Sequence, residues 1–257
     1  MHHKLTRYKD IIYYRTLASL KSESKRNYLG YLWLLIDPAI TVLILYLVFG
    51  IIMNHRGTDF VLFLVIGLTN WQWFDNSINE GIRGIRDKIH ILQQIPLEKF
   101  IFPIVQISIA SVKHGFVYSI VILLTLIFGY KINFNYFYLP LILFTQLILI
   151  IGITLPLSIF FSYLEDVGKF ISLAMRLLFY LSGIFFSSEQ VPEHLKHLFY
   201  LNPIARLIEA HRNVLILNTP PELNLIMYPL FLGVILTSIG LIFCNHIDKS
   251  LLKSISV

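Results

Sequence analysis

Three ionisable side chains fall where the surrounding sequence is apolar. Asp37, Lys113 and Arg176 lie within or beside long hydrophobic runs. A charge facing hydrocarbon at mid-bilayer costs about 2.5–3.5 kcal/mol on insertion scales. Each is therefore expected to face a bundle interior, a partner or a water-filled path. Asp37, close to the start of its run, also suits an interfacial position, and Arg176, near the middle of its run, suits a lumen. Catalytic chemistry has little to work with. His194 and His197 stand three apart and share a helix face, but Glu193 alone is a poor third ligand for zinc. Gly81 and Gly84 make an isolated G-x-x-G. The phosphate-cradling G-x-x-x-x-G-K-[ST], the G-x-S-x-G elbow and H-E-x-x-H are absent. Cys244 is the single cysteine, so neither an intrachain disulfide nor a cysteine-based metal site is expected. The reading is a transport protein, not an enzyme, with its energy supplied from elsewhere.

Aromatic residues are the other chemical signal. They make up 14 % of the chain, with 20 Phe and 14 Tyr. Trp71, Trp73 and Phe74 stand among Asn70, Gln72, Asp75 and Asn76. Phe179, Tyr180, Phe185 and Phe186 form a second cluster. Interfacial aromatic belts account for most such residues. Aromatic faces also stack on the C–H face of sugar rings, so amphipathic rings beside amides would suit a carbohydrate path.

The elements that must position these groups follow from composition. The chain has 257 residues, 56 % of them hydrophobic and only 14 % charged. A soluble domain carries about 25 % charge, and a disordered chain would be far less apolar. The solvent around much of this chain is therefore expected to be lipid, where a spanning helix needs about 20 apolar residues. Six runs qualify, at 31–53, 60–78, 102–130, 136–163, 170–186 and 223–245. Residues 1–27 are basic and place Leu5, Tyr8, Ile12 and Leu20 near one helical face, which predicts an amphipathic helix at a membrane surface. Residues 187–222 are too broken to span. They predict two short helices around the Asn202-Pro203 turn, either an ordinary outer loop or a re-entrant pair, whose backbone must be covered by protein or line a cavity.

Net charge is +6. In a soluble protein this would suggest nucleic acid. Here, 14 Lys and Arg residues fall on the side of the termini and 5 on the other. That bias places both termini in the cytoplasm and removes any need for a nucleic-acid partner.

Three motifs carry a family resemblance. Asn27-Tyr28-Leu29-Gly30-Tyr31-Leu32-Trp33 precedes Asp37-Pro38. Gly67-Leu68-Thr69-Asn70-Trp71-Gln72-Trp73-Phe74 follows. Leu201-Asn202-Pro203-Ile204-Ala205 then leads to Ile208, Glu209 and Arg212. In this order the chain resembles, over nearly its whole length, the permease subunits of ABC-2 polysaccharide exporters, most of all the O-antigen permeases. The family's basic-Phe-Pro triplet has no match at Gln94-Ile95-Pro96, so the end of the coupling segment stays open.

The resemblance implies an all-α membrane protein of six transmembrane helices, with residues 1–257 forming one ABC-2 transmembrane domain. Residues 1–27 would be the interface helix, and 191–217 re-entrant gate helices between spans five and six. It implies a homodimer in the bacterial inner membrane, with two separate ABC ATPase subunits that bind ATP and Mg; this chain would carry no cofactor. Residues 84–100 would dock on the ATPase through Arg86, Asp87, Lys88 and Glu98. Asn202, Pro203, Glu209 and Arg212 would belong to the extracytoplasmic gate. Tyr28, Trp33, Trp71, Trp73, Phe74 and Tyr180 are candidates for the substrate path, which Arg176 joins on the burial argument alone. The cargo would be O antigen on undecaprenyl diphosphate. Capsular polysaccharide, teichoic acid, and a drug or lipid are the alternatives. Lys25 and Arg26, directly before the first span, could meet the lipid diphosphate by charge-assisted hydrogen bonds or serve only as orientation charge.

Overall fold

The computed structural model describes residues 2–26, 32–52, 58–88, 97–164 and 166–247. Among them the regular structure is helical throughout, without strands. Tyr28 and residues 89–96 of the expected coupling segment lie outside the described residues, as do the side chains of Lys25 and Arg26.

Helix α1 (His2–Arg26) forms as expected. Its apolar stripe of Tyr8, Ile11, Ile12 and Leu20 packs against Phe100, Ile101, Val105 and Ile109 of the chain itself. Helix α2 (Trp33–Leu45) continues into wider π-type turns over Tyr46–Ile52. Helix α3 (Thr58–Arg83) runs past the expected end at residue 78. Part of its polar half is turned into protein. Asn70 and Ser77 are fully buried, the Asn70 amide donates to the Ile66 carbonyl at 2.9 Å, and Gln146 donates to the Asn70 carbonyl at 2.9 Å. Among the described residues Asn70 Oδ1, Ser77 Oγ and Gln146 Oε1 have no partner, so this burial is only partly satisfied. Facing protein still costs less than facing lipid, which explains a long helix with diluted hydropathy.

Helix α4 (Ile101–Ile127) stops three residues short of the expected boundary, ahead of Gly129, whose φ is +91°. Helix α5 spans Tyr138–Tyr163. Helix α6 (Asp166–Leu181) has only 16 residues. The helix begins four residues ahead of the expected run 170–186 and ends five residues before its close, where Gly183 at φ +67° turns the chain, a conformation that favours glycine. The two short helices expected in 187–222 are present as α7 (Glu193–Leu201) and α8 (Pro203–Leu215). Helix α9 (Leu223–Ile247) follows.

Among the described residues three helices are long and apolar enough to cross a membrane: Ile101–Ile127, Phe134–Tyr163 and Leu223–Cys244. Trp33–Val48 is apolar but shorter. Helices α3 and α6 do not qualify, the first through its inward polar residues and the second through its length.

The core is built on α3 and α5, with α8 set into it. Leu207, Ile208, Ala210, Val214 and Leu215 of α8 have no exposed surface. Helix α8 is thus an integral part of the bundle, whereas α7 has no buried residue and lies on its surface. Helices α5 and α9 pack at backbone distance. A Cβ at Gly152 would lie 2.5 Å from the Gly233 carbonyl, and one at Gly233 2.8 Å from the Leu149 nitrogen. Small residues permit this approach, and van der Waals contact then holds helices that gain nothing from leaving lipid.

Candidate functional site

A cavity of about 920 Å³ lies between α1, α2, α3 and α4. Helix α1 contributes Arg15 and Glu23, α2 contributes Trp33 and Asp37, and α3 contributes Gln72, Trp73, Asn76 and Glu80. Helix α4 closes it with Gln106, Lys113 and His114, and Lys88 stands at its edge. Lys113 donates to Glu23 at 2.6 Å, with side-chain exposures of 24 % and 40 %. This ion pair ties α1 to α4 and answers the burial question posed by Lys113. Asp37 faces the same space. Trp73 is held in the wall: its indole N–H donates to Ser111 at 3.2 Å, and its ring stacks on His114 at 4.4 Å with an interplanar angle of 7°.

From His114 a buried chain of rings leads to α8. Tyr118 lies one turn on, 5.3 Å from His114 between centroids. The Tyr118 hydroxyl and His211 Nδ1 share a hydrogen bond of 2.6 Å. His211 is fully buried. Neither histidine was singled out as a site residue from sequence. The i, i+4 spacing of His114 and Tyr118 in an apolar helix was the available signal.

Beside His211, Arg212 anchors three parts of the chain. Its guanidinium donates to the carbonyls of Gly183 at 2.6 Å, Ile184 at 2.8 Å and Phe63 at 3.0 Å. It also lies 3.3 Å from the Phe63 ring centroid. Gly67 makes the room: a Cβ there would stand 2.5 Å from the Arg212 Nη2. The glycine of the second motif and the arginine of the third are thus one packing unit. Asn202 works at the start of α8. Its side-chain oxygen accepts from the Ile204 N–H at 3.1 Å, an N-cap, and its amide donates to Ser182 at 2.9 Å. Pro203 fills the first helical position, where its missing N–H is harmless. Glu209 accepts from Ser188 at 2.7 Å and Tyr200 at 3.1 Å. Burial raises the Tyr200 phenol above its ordinary range, the Ser188 contact works against this, and the Glu209 charge adds to the rise. Tyr200 therefore stays protonated and donates.

The remaining site residues are dispersed. Trp71 and Phe74 are buried in the core and do not line the cavity. Arg176 and Tyr180 are exposed on α6. Arg86, Asp87 and Lys88 form a short turn of helix, and Glu98 accepts from the Tyr8 hydroxyl at 3.1 Å. Among the described residues, no group of three or more His, Cys, Asp or Glu side chains is placed to hold a metal ion.

The all-helical bundle, with helices long and apolar enough to cross a membrane among the described residues, is that of an integral membrane protein. Residues 17–216 match the ABC-2 type transporter family, and the chain belongs to that family. The chain is 26 % identical over 239 residues to an O-antigen export system permease protein RfbA of Klebsiella pneumoniae, covering 93 % of this chain and 92 % of the relative. The RfbA protein of Myxococcus xanthus is 21 % identical, with 87 % of both chains covered. The polysialic acid transport protein KpsM of Escherichia coli is 23 % identical, with 93 % of both covered.

Proposed function

We propose that this chain is the channel-forming subunit of an ATP-driven exporter of lipid-linked polysaccharide, with O antigen as its cargo. The observation that carries this reading is the likeness, over almost the whole chain, to permeases of O-antigen export systems. The absence of a phosphate-cradling loop from the sequence agrees with a motor in another chain. Two copies would pair in the inner membrane, each with six membrane-crossing or membrane-embedded segments, cytoplasmic termini and one ATPase subunit. Segment 84–100 would receive the ATPase stroke. Tyr8 latches α1 to Glu98 at the end of that segment, which supports joint movement of α1 and the coupling turn. Helices α7 and α8 would form the outer gate. Arg176, exposed on α6 without a partner among the described residues, suits a water-filled seam between two copies better than lipid. The cargo would be carried on undecaprenyl diphosphate, its headgroup meeting Lys25 and Arg26.

Deleting the gene should abolish surface O antigen while lipid-linked glycan accumulates inside. Unchanged surface glycan would overturn the reading. Loss of capsule with O antigen intact would favour the capsule-export reading, which the likeness to the capsule polysaccharide export inner-membrane protein CtrC of Neisseria meningitidis supports.

A further inference from the structure

We propose that the cavity between α1, α2, α3 and α4 is a subsite for one neutral sugar ring of the exported glycan, received before it enters the channel. This rests on the polysaccharide-export reading. Size comes first: at about 920 Å³ the cavity falls within the range of small-molecule sites, about 300–1,000 Å³. It has a platform, since Trp33 of α2 lines it and is 48 % exposed. The C–H face of a pyranose buries apolar surface on such a ring while its hydroxyls stay free to hydrogen-bond.

The partners for those hydroxyls are uncommitted. The side chains of Asp37, Gln72, Asn76, Glu80 and Gln106 line the cavity without a hydrogen-bond partner among the described residues. Amides donate and accept, and carboxylates accept, which is the mixture that hydroxyl groups use. The charge pattern decides against an anion. Arg15, Lys88 and Lys113 are matched by Glu23, Asp37 and Glu80. Lys113 already holds Glu23 at 2.6 Å. A diphosphate here would meet two free carboxylates and no surplus of cations. A neutral polyol meets neither cost.

Saturation-transfer NMR on the full-length protein in lipid nanodiscs tests this, with methyl glucoside, galactoside and mannoside as probes. Transfer to at least one glycoside is expected. Trp33→Ala should weaken it about tenfold. Trp33→Phe should restore most of it, and Gln72→Met, which keeps the shape but loses the amide, should weaken it as well. Inorganic pyrophosphate should not compete. Displacement by pyrophosphate would overturn the proposal and assign the cavity to a diphosphate headgroup. No transfer to any glycoside, or transfer indifferent to the Trp33→Ala and Gln72→Met substitutions, would overturn the subsite alone. The export reading stands or falls separately, on the surface glycan of the deletion strain.

Discussion

Arg212 shows how one side chain can hold a bundle together. A guanidinium offers five donors in a fixed fork, and here they reach two carbonyls of the turn after α6 and one of α3. Lysine would place a single ammonium where three separated oxygens need donors. Arg212→Lys should therefore lower stability by about 3 kcal/mol, since buried carbonyls are left without partners. Gly67→Ala should act on the same unit, because the new methyl group meets the guanidinium. The double variant should lose less than the sum of the two, as expected for residues in contact. Thermal unfolding of the detergent-solubilised protein measures all three. Additive losses would show that the two residues act independently.

At the scale of elements, the third motif makes sense as a helix start. Asn202 caps α8, and through Ser182 it also fixes where α6 ends. Asn202→Ala should destabilise by about 1 kcal/mol for the cap. Asn202→Asp keeps the accepting oxygen and loses the donor to Ser182, so it should recover the cap alone. Amide hydrogen exchange along α8 and over 181–184 separates the two roles: alanine should loosen both regions and aspartate only the turn. The Asn-Pro pair was visible in the sequence because both residues act locally. The reach of Asn202 to Ser182 was not, since nothing in either residue announces the other.

At the scale of the whole molecule, exposed apolar side chains occur on several helices, and the short helix α6 carries such a face beside a charge. On α6, Leu173, Leu177, Tyr180 and Leu181 are more than half exposed, with Arg176 among them. In the proposed homodimer this face would line the seam between copies. Tyr180→Cys should form an oxidative crosslink between two copies in membranes, against a small background because the native Cys244 is buried. Intact dimers without that crosslink would place the seam elsewhere. The same scale explains what hydropathy missed. Helix α3 has 26 residues, long enough to cross a bilayer at about 1.5 Å per residue. Thr69, Asn70 and Ser77 are buried in the bundle and Gln72, Asn76 and Glu80 line the cavity, and an average over the sequence cannot distinguish such positions from lipid-facing ones.

The helical class, the lipid surroundings, the paired short helices about Asn202-Pro203 and membership of the ABC-2 transporter family are all legible in the residues alone. Each follows from local composition, from spacing within one element, or from motifs in order along the chain. Which of the clustered aromatics are core and which are wall depends on packing between distant helices. Trp71 and Phe74 are packed inside, while Trp73, two residues from Trp71, lines the cavity with Trp33. The same packing pairs Lys113 with Glu23, 90 residues away, and brings Arg212 to Phe63 across 149. The physical reason is that a side chain's environment is set by whatever packs against it. Periodicity reports which residues share a face, and distant helices decide what that face meets.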